Sequence, residues 1–190
     1  MRQGFIVLIS GPSGVGKGTL IHSLLADQTL NLSFSVSMTT RKPRPNEKDG
    51  IHYFFVSHET FLKNIEENNF LEHAQFVGNR YGTPRDYVEK LLNEGKNVLI
   101  EIEVDGARQL LKNVDSEKVL SLYIMPPSVQ ELVRRLRLRG SEDEATIQRR
   151  AERFKEEIKY KDQYQHIIIN DELETCINDV KALIREKMNI

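Results

Sequence analysis

Gly11, Gly14, Gly16 and Lys17 fall within the run GPSGVGKGT, residues 11–19, and that spacing suits the holding of phosphate. Glycine tolerates backbone conformations that a Cβ forbids, so successive N–H groups can turn inward around an anion while the lysine reaches its outer oxygens. Pro12, Ser13, Val15, Gly18 and Thr19 complete the cradle. Such a loop grips the phosphates of a nucleoside triphosphate when a strand precedes it and a helix follows. Gly18 stands where the motif usually has Ser or Thr, so the hydroxyl that commonly ligates Mg2+ is missing, and Thr19 is one step further on. The ion is therefore expected to be held through phosphates and water, with no direct protein ligand.

A second set of residues points to a second anion. Arg41 and Arg44 lie three residues apart, and their planar guanidinium forks, with Tyr53 and Tyr81, suit one phosphate dianion. Glu101 and Glu103 sit at the end of an apolar run and share one face of it, aimed at the space beyond. Seven arginines, 134, 135, 137, 139, 149, 150 and 153, surround an acidic stretch at 142–144. Arg135 and Arg139 share a helix face away from the Leu132 and Leu136 stripe, so they can reach a common ligand.

The elements that must position these groups follow from hydrophobic spacing. Phe5–Ile9, Asn97–Ile102, Val119–Met125 and His166–Ile169 read as buried strands. From Lys17, the apolar residues Leu20, Ile21, Leu24 and Leu25 recur at helical spacing. Ser128 with Glu131 makes a capping box, and Thr83-Pro84 opens a helix that Gly95 closes. The pattern is α/β, with a central, mostly parallel sheet flanked by helices. Residues 37–86 differ, being rich in Thr, Arg, Pro, Asn, Gly and aromatics, with short strand candidates at Tyr53–Val56 and Phe70–Val77; they read as an inserted lobe. A second, charged insertion covers 128–159, which leaves 1–36, 87–127 and 160–190 as the core.

Composition narrows the function. The 190 residues carry 39% hydrophobic and 29% charged side chains, an ordinary globular balance. Lys plus Arg number 27 against 28 Asp plus Glu, a net charge of -1, so the surface as a whole is not built for nucleic acid. The single cysteine, Cys176, excludes an internal disulfide and reads as helix core. The longest apolar run is too short for a bilayer and leads into a glycine loop, so the chain is expected to be cytoplasmic and free of membrane.

The segment from Ser37 through Arg41 and Arg44 to Glu47, Gly50 and Tyr53-Phe-Phe55 resembles the nucleotide-monophosphate signature of guanylate kinases. The resemblance continues through FLEHA at 70–74, YGT at 81–83, RRLRLRG at 134–140 and Ile169-Asn-Asp171, all in family order and of the bacterial type. It implies one P-loop NTPase domain over 1–190, with ATP and GMP as substrates, Mg2+ as cofactor, and a role in recycling GMP and supplying GDP and GTP. On that resemblance Arg41, Arg44, Tyr53 and Tyr81 bind the GMP phosphate, and Glu72 and Ser37, assisted by Thr83, read guanine. Lobe 37–86 is then the GMP-binding lobe. Segment 128–159 is the lid, whose Arg135, Arg139 and Arg150 close over the triphosphate with Lys17 and Arg41 as catalytic partners. Arg134, Arg137, Arg149 and Arg153 are taken as surface or hinge charges, and Asn170 as an adenine contact or a plain turn residue. The family usually has Asp at 101 and 103 and Gln at 105, where this chain has Glu101, Glu103 and Asp105.

Phosphoryl transfer needs in-line positioning and charge neutralisation more than covalent help. An acceptor phosphate already ionised near neutral pH needs no general base, and the five histidines stay unassigned. Two other readings are a guanylate-kinase-like peptide-binding module, against which the intact Gly16-Lys17 counts, and a nucleic-acid binder, which lacks an aromatic platform among the arginines. Whether copies of the chain associate is left open.

Overall fold

The computed structural model describes residues 3–189. Strand Ile6–Ser10 (β1) runs into the glycine loop and helix Lys17–Ala26 (α1), followed by Leu32–Phe34 (β2). The inserted lobe holds Met38–Thr39 (β3), Phe54–Phe55 (β4), helix His58–Glu66 (α2), Phe70–Phe76 (β5) and Asn79–Pro84 (β6). The chain returns through Arg85–Asn93 (α3), Asn97–Glu101 (β7), Val104–Asn113 (α4) and Val119–Met125 (β8). Helices Val129–Arg139 (α5) and Glu144–Glu157 (α6), strand His166–Ile169 (β9) and helix Leu173–Met188 (α7) complete it.

The main sheet has the order β2-β7-β1-β8-β9, and every neighbouring pair is parallel. β1 is central and both its faces are covered. Ile6 and Leu8 pack into a cluster with residues of α3 to α6, whereas Val7 and Ile9 face α1 and α7, where Cys176 is buried. Alternation of side chains across the strand thus sends an unbroken apolar run into two cores at once. Each such side chain, fully buried, contributes roughly 1.5–3 kcal/mol.

The lobe has its own sheet, β4-β3-β6-β5, and is more ordered than its composition suggests. The candidate Tyr53–Val56 shortens to β4, and α2 appears where no helix is expected. Ser57 caps α2 by accepting from the Thr60 N–H, and the buried Phe61 stacks on Phe70 with ring centroids 4.5 Å apart. β5 and β6 form a hairpin whose turn places Val77 at φ 47° and Gly78 at φ 75°.

The 128–159 segment forms two helices whose apolar stripes, Leu132 and Leu136 of α5 and Ile147 and Phe154 of α6, belong to the same buried cluster as β1 and β7. No helix of the described residues is long and apolar enough to cross a membrane.

Candidate functional site

The glycine loop leaves β1 and enters α1 with Gly14 at φ 88° and Gly16 at φ 105°, conformations open to glycine. Among the described residues, α1 has no side-chain cap and no acid in its first turn. Ser57, Ser128 and Asp143 by contrast cap α2, α5 and α6. The first N–H groups of α1, and the positive end of its dipole, are thus left facing the loop. A Cβ on Gly14 would stand 2.5 Å from Leu136 Cδ2, so α5 backs the cradle directly. The loop is also pinned from β9: Asn170, 3% exposed, donates from Nδ2 to the Val15 carbonyl at 2.7 Å.

Lys17 lies over the loop, its Nζ donating to the carbonyls of Gly11 at 2.6 Å and Pro12 at 3.0 Å, with Glu101 Oε1 at 3.9 Å. Burial pushes its pKa below the ordinary lysine value, while Glu101 pulls the other way. Between the loop, the end of β7 and α6 opens a cleft of about 620 Å³. Thr146, Arg149, Arg150, Arg153 and Glu157 of α6 line it at helical spacing. Arg150 bonds Ser13 Oγ and Glu142, and Arg153 reaches Glu103 at 2.6 Å and Glu157 at 2.7 Å.

In the lobe, Arg41 makes a two-pronged ion pair with Glu47 at 2.9 and 2.8 Å and sits over the rings of Tyr53, 5.4 Å from its centroid, and Phe55. Glu47 also accepts the Arg44 N–H at 2.8 Å, and these bonds, Arg41 first, hold its pKa at about 2. Tyr81 meets Tyr53 edge-on with centroids 6.2 Å apart. Further along β5, Glu72 is 7% exposed and accepts from Thr83 Oγ1 at 2.6 Å. Burial raises its pKa, against the pull of Thr83. A Cβ on Gly106 of α4 would come within 2.9 Å of its other oxygen, Oε2. The arrangement offers two anion sites and a buried carboxylate for polar N–H donors.

The family model for guanylate kinase matches residues 3–187. The chain belongs to the guanylate kinase family. A guanylate kinase of Mesoplasma florum is 50% identical over 187 residues, which is 98% of this chain and 62% of that protein. One of Mycoplasmoides gallisepticum is 46% identical over 183 residues, 96% of this chain and 93% of the relative. A crystal structure of guanylate kinase from Anaplasma phagocytophilum superposes with a TM-score of 0.73 at 33% identity, covering 98% of this chain and 87% of that one. The α/β fold with a parallel central sheet is that of the guanylate kinases.

Within this guanylate kinase fold, Arg41, Tyr53 and Tyr81 come together, as do Glu72 and Thr83. Arg44 is exposed, and Ser37 is half-buried at the entry to β3, its carbonyl accepting the Phe54 N–H at 2.9 Å. Glu101 and Glu103 line the cleft with Lys17. Arg135 donates to the carbonyls of Asn170 at 2.8 Å and Asp171 at 3.2 Å and to Glu131 at 2.7 Å, whereas Arg139 is exposed with no ion-pair partner among the described residues. Arg149 and Arg153, expected as surface or hinge charges, are exposed and also line the cleft beside Arg150, because the three share a helix face. Arg134 and Arg137 are exposed and paired with Glu131 and Glu144. The Asn170 side chain is turned inward to the loop backbone. Glu47, Gly106 and Phe76, which lines the cleft, are site features that motif spacing leaves unassigned.

Proposed function

We propose that the chain transfers the γ-phosphoryl group of ATP to GMP, giving ADP and GDP. The observation that carries this is the pairing of an uncapped helix end beside Lys17 with a second cluster of Arg41, Tyr53 and Tyr81, on a lobe that also buries Glu72. Guanine presents N1–H and N2–H donors beside O6, so an ionised Glu72 accepts from it while Thr83 orients the carboxylate. Adenine has no such donor pair, and a buried acceptor left unmatched discriminates by about 10⁴–10⁵-fold.

The acceptor's phosphate oxygen attacks the γ-phosphorus in line, already ionised and needing no base. Lys17, Arg150 and the neighbouring Arg149 and Arg153 neutralise charge on the transferring group. The residues fit a hydrated metal ion that arrives with the nucleotide: Gly18 brings no hydroxyl, and among the described residues no group of three His, Cys, Asp or Glu side chains forms a metal site, yet Glu101 and Glu103 line the cleft. Mg2+ bound there through phosphates and water would add further neutralisation. The near-neutral net charge supports small-molecule partners rather than nucleic acid, and we place the enzyme in the cytoplasm.

A coupled assay with Mg2+ and ATP tests the proposal. GMP should be phosphorylated far faster than AMP or UMP; preference for either of those overturns the specificity, and turnover of none overturns the enzyme class.

A further inference from the structure

We propose that Phe76 keeps water off the transferring phosphoryl group, so that the energy of ATP is not lost to hydrolysis; this rests on the kinase reading above. Phe76 is 66% exposed, yet it lines the cleft together with Lys17, Glu101, Arg149, Arg150 and Arg153. Among the described residues it is the one aromatic side chain in a lining dominated by charge. Arginines and a lysine stabilise a transferring phosphoryl group, but none of them excludes a competing water, which an apolar ring does.

Its place on the hairpin fits that task. Glu72, Ala74 and Phe76 occupy alternate positions of β5 and so share a face, beyond the irregularity between Phe70 and Glu72. Tyr81 stands opposite Ala74, and Asn79 opposite Phe76. At roughly 3.4 Å per residue, the strand runs in order from the base-reading carboxylate, past the tyrosine of the acceptor-phosphate cluster, to Phe76 at the tip. The ring therefore marks the seam between the acceptor lobe and the α6 arginines. Val77 beside it is 79% exposed, so the hairpin ends in two largely exposed apolar side chains.

In the reaction to be suppressed, a water oxygen bonds to the γ-phosphorus as the bond from that phosphorus to the β–γ bridging oxygen breaks. The products are ADP and inorganic phosphate, with one proton passing to solvent. The test measures ADP and GDP together in purified protein with Mg2+, ATP and GMP, comparing the natural chain with Phe76→Ala and Phe76→Leu. The natural chain should give one ADP per GDP. Phe76→Ala should give ADP in severalfold excess over GDP, and Phe76→Leu, which keeps apolar bulk, should return towards parity. Parity in Phe76→Ala, or the same excess in Phe76→Leu, overturns the inference while leaving the kinase reading intact. No GDP from the natural chain overturns both. Because the ring is mostly exposed, all three proteins should unfold at similar temperatures.

Discussion

Replacing Gly106 by Ala adds one methyl group inside α4, and helix propensity alone would make that favourable by roughly 0.8–1 kcal/mol. The surroundings oppose it. The new Cβ would lie 2.9 Å from Glu72 Oε2, 3.4 Å from its Cδ and 3.5 Å from Ile102 Cβ. Glu72 has little room to retreat, since it is 7% exposed and its other oxygen accepts from Thr83 Oγ1 at 2.6 Å. Yielding would break that bond and leave buried polar atoms unmatched, at about 1–3 kcal/mol. The two effects nearly offset, so Gly106→Ala should change stability by no more than about 2 kcal/mol. Its effect on guanine should be much larger, because a displacement of the order of 1 Å in a positioning group costs about 10²-fold. We expect kcat/KM for GMP to fall by about that factor with the KM for ATP unchanged. Initial rates with each nucleotide varied in turn, together with a thermal melt, decide the matter. Unchanged GMP kinetics with a raised melting temperature would refute the reasoning, and equal losses for both nucleotides would point to general damage.

Lys17→Ala should lower turnover by about 10²-fold or more, as for removal of a preorganised charge, and a near-natural rate would take the lysine out of the mechanism. Burial raises the Glu72 pKa above its ordinary 4.5, so the folded protein holds that proton more readily than the unfolded chain. Stability should therefore decline as pH rises from the ordinary value through the raised one. Glu72→Gln should remove this decline in denaturant titrations while eroding the preference for GMP; an unaltered pH profile would contradict the burial argument. Asn170→Ala leaves the Val15 carbonyl without its buried donor, a loss of about 1–3 kcal/mol. It should raise the KM for ATP more than that for GMP, and equal effects would show that the contact does not position the phosphate loop.

The strands that carry the glycine loop and Glu101 are legible because burial on both faces demands unbroken apolar runs, Ile6–Ile9 in β1 and Val98–Ile100 in β7. β2, β3 and β6 are short or mixed in polarity and are fixed by pairing with distant partners, which local pattern does not encode. α2 does carry a signal, Ser57 ahead of Phe61 and Ile65, but it is embedded in a turn-rich composition. On α6, Ile147, Ala151 and Phe154 mark the buried face. The adjoining stripe from Thr146 to Glu157 could have been read from the same period, yet charge runs look alike whether they face solvent or a cleft. Asn170 illustrates a further limit: sequence places an amide at the end of β9, but only the fold turns it towards Val15.

Leu136 standing against Gly14 has a practical corollary for anyone shortening this protein. The 128–159 stretch looks like an appendage that could be cut away and bridged. Its excision would instead take the floor from under the loop and expose the oily flank of the central strands, so a minimal version must retain it and be trimmed elsewhere.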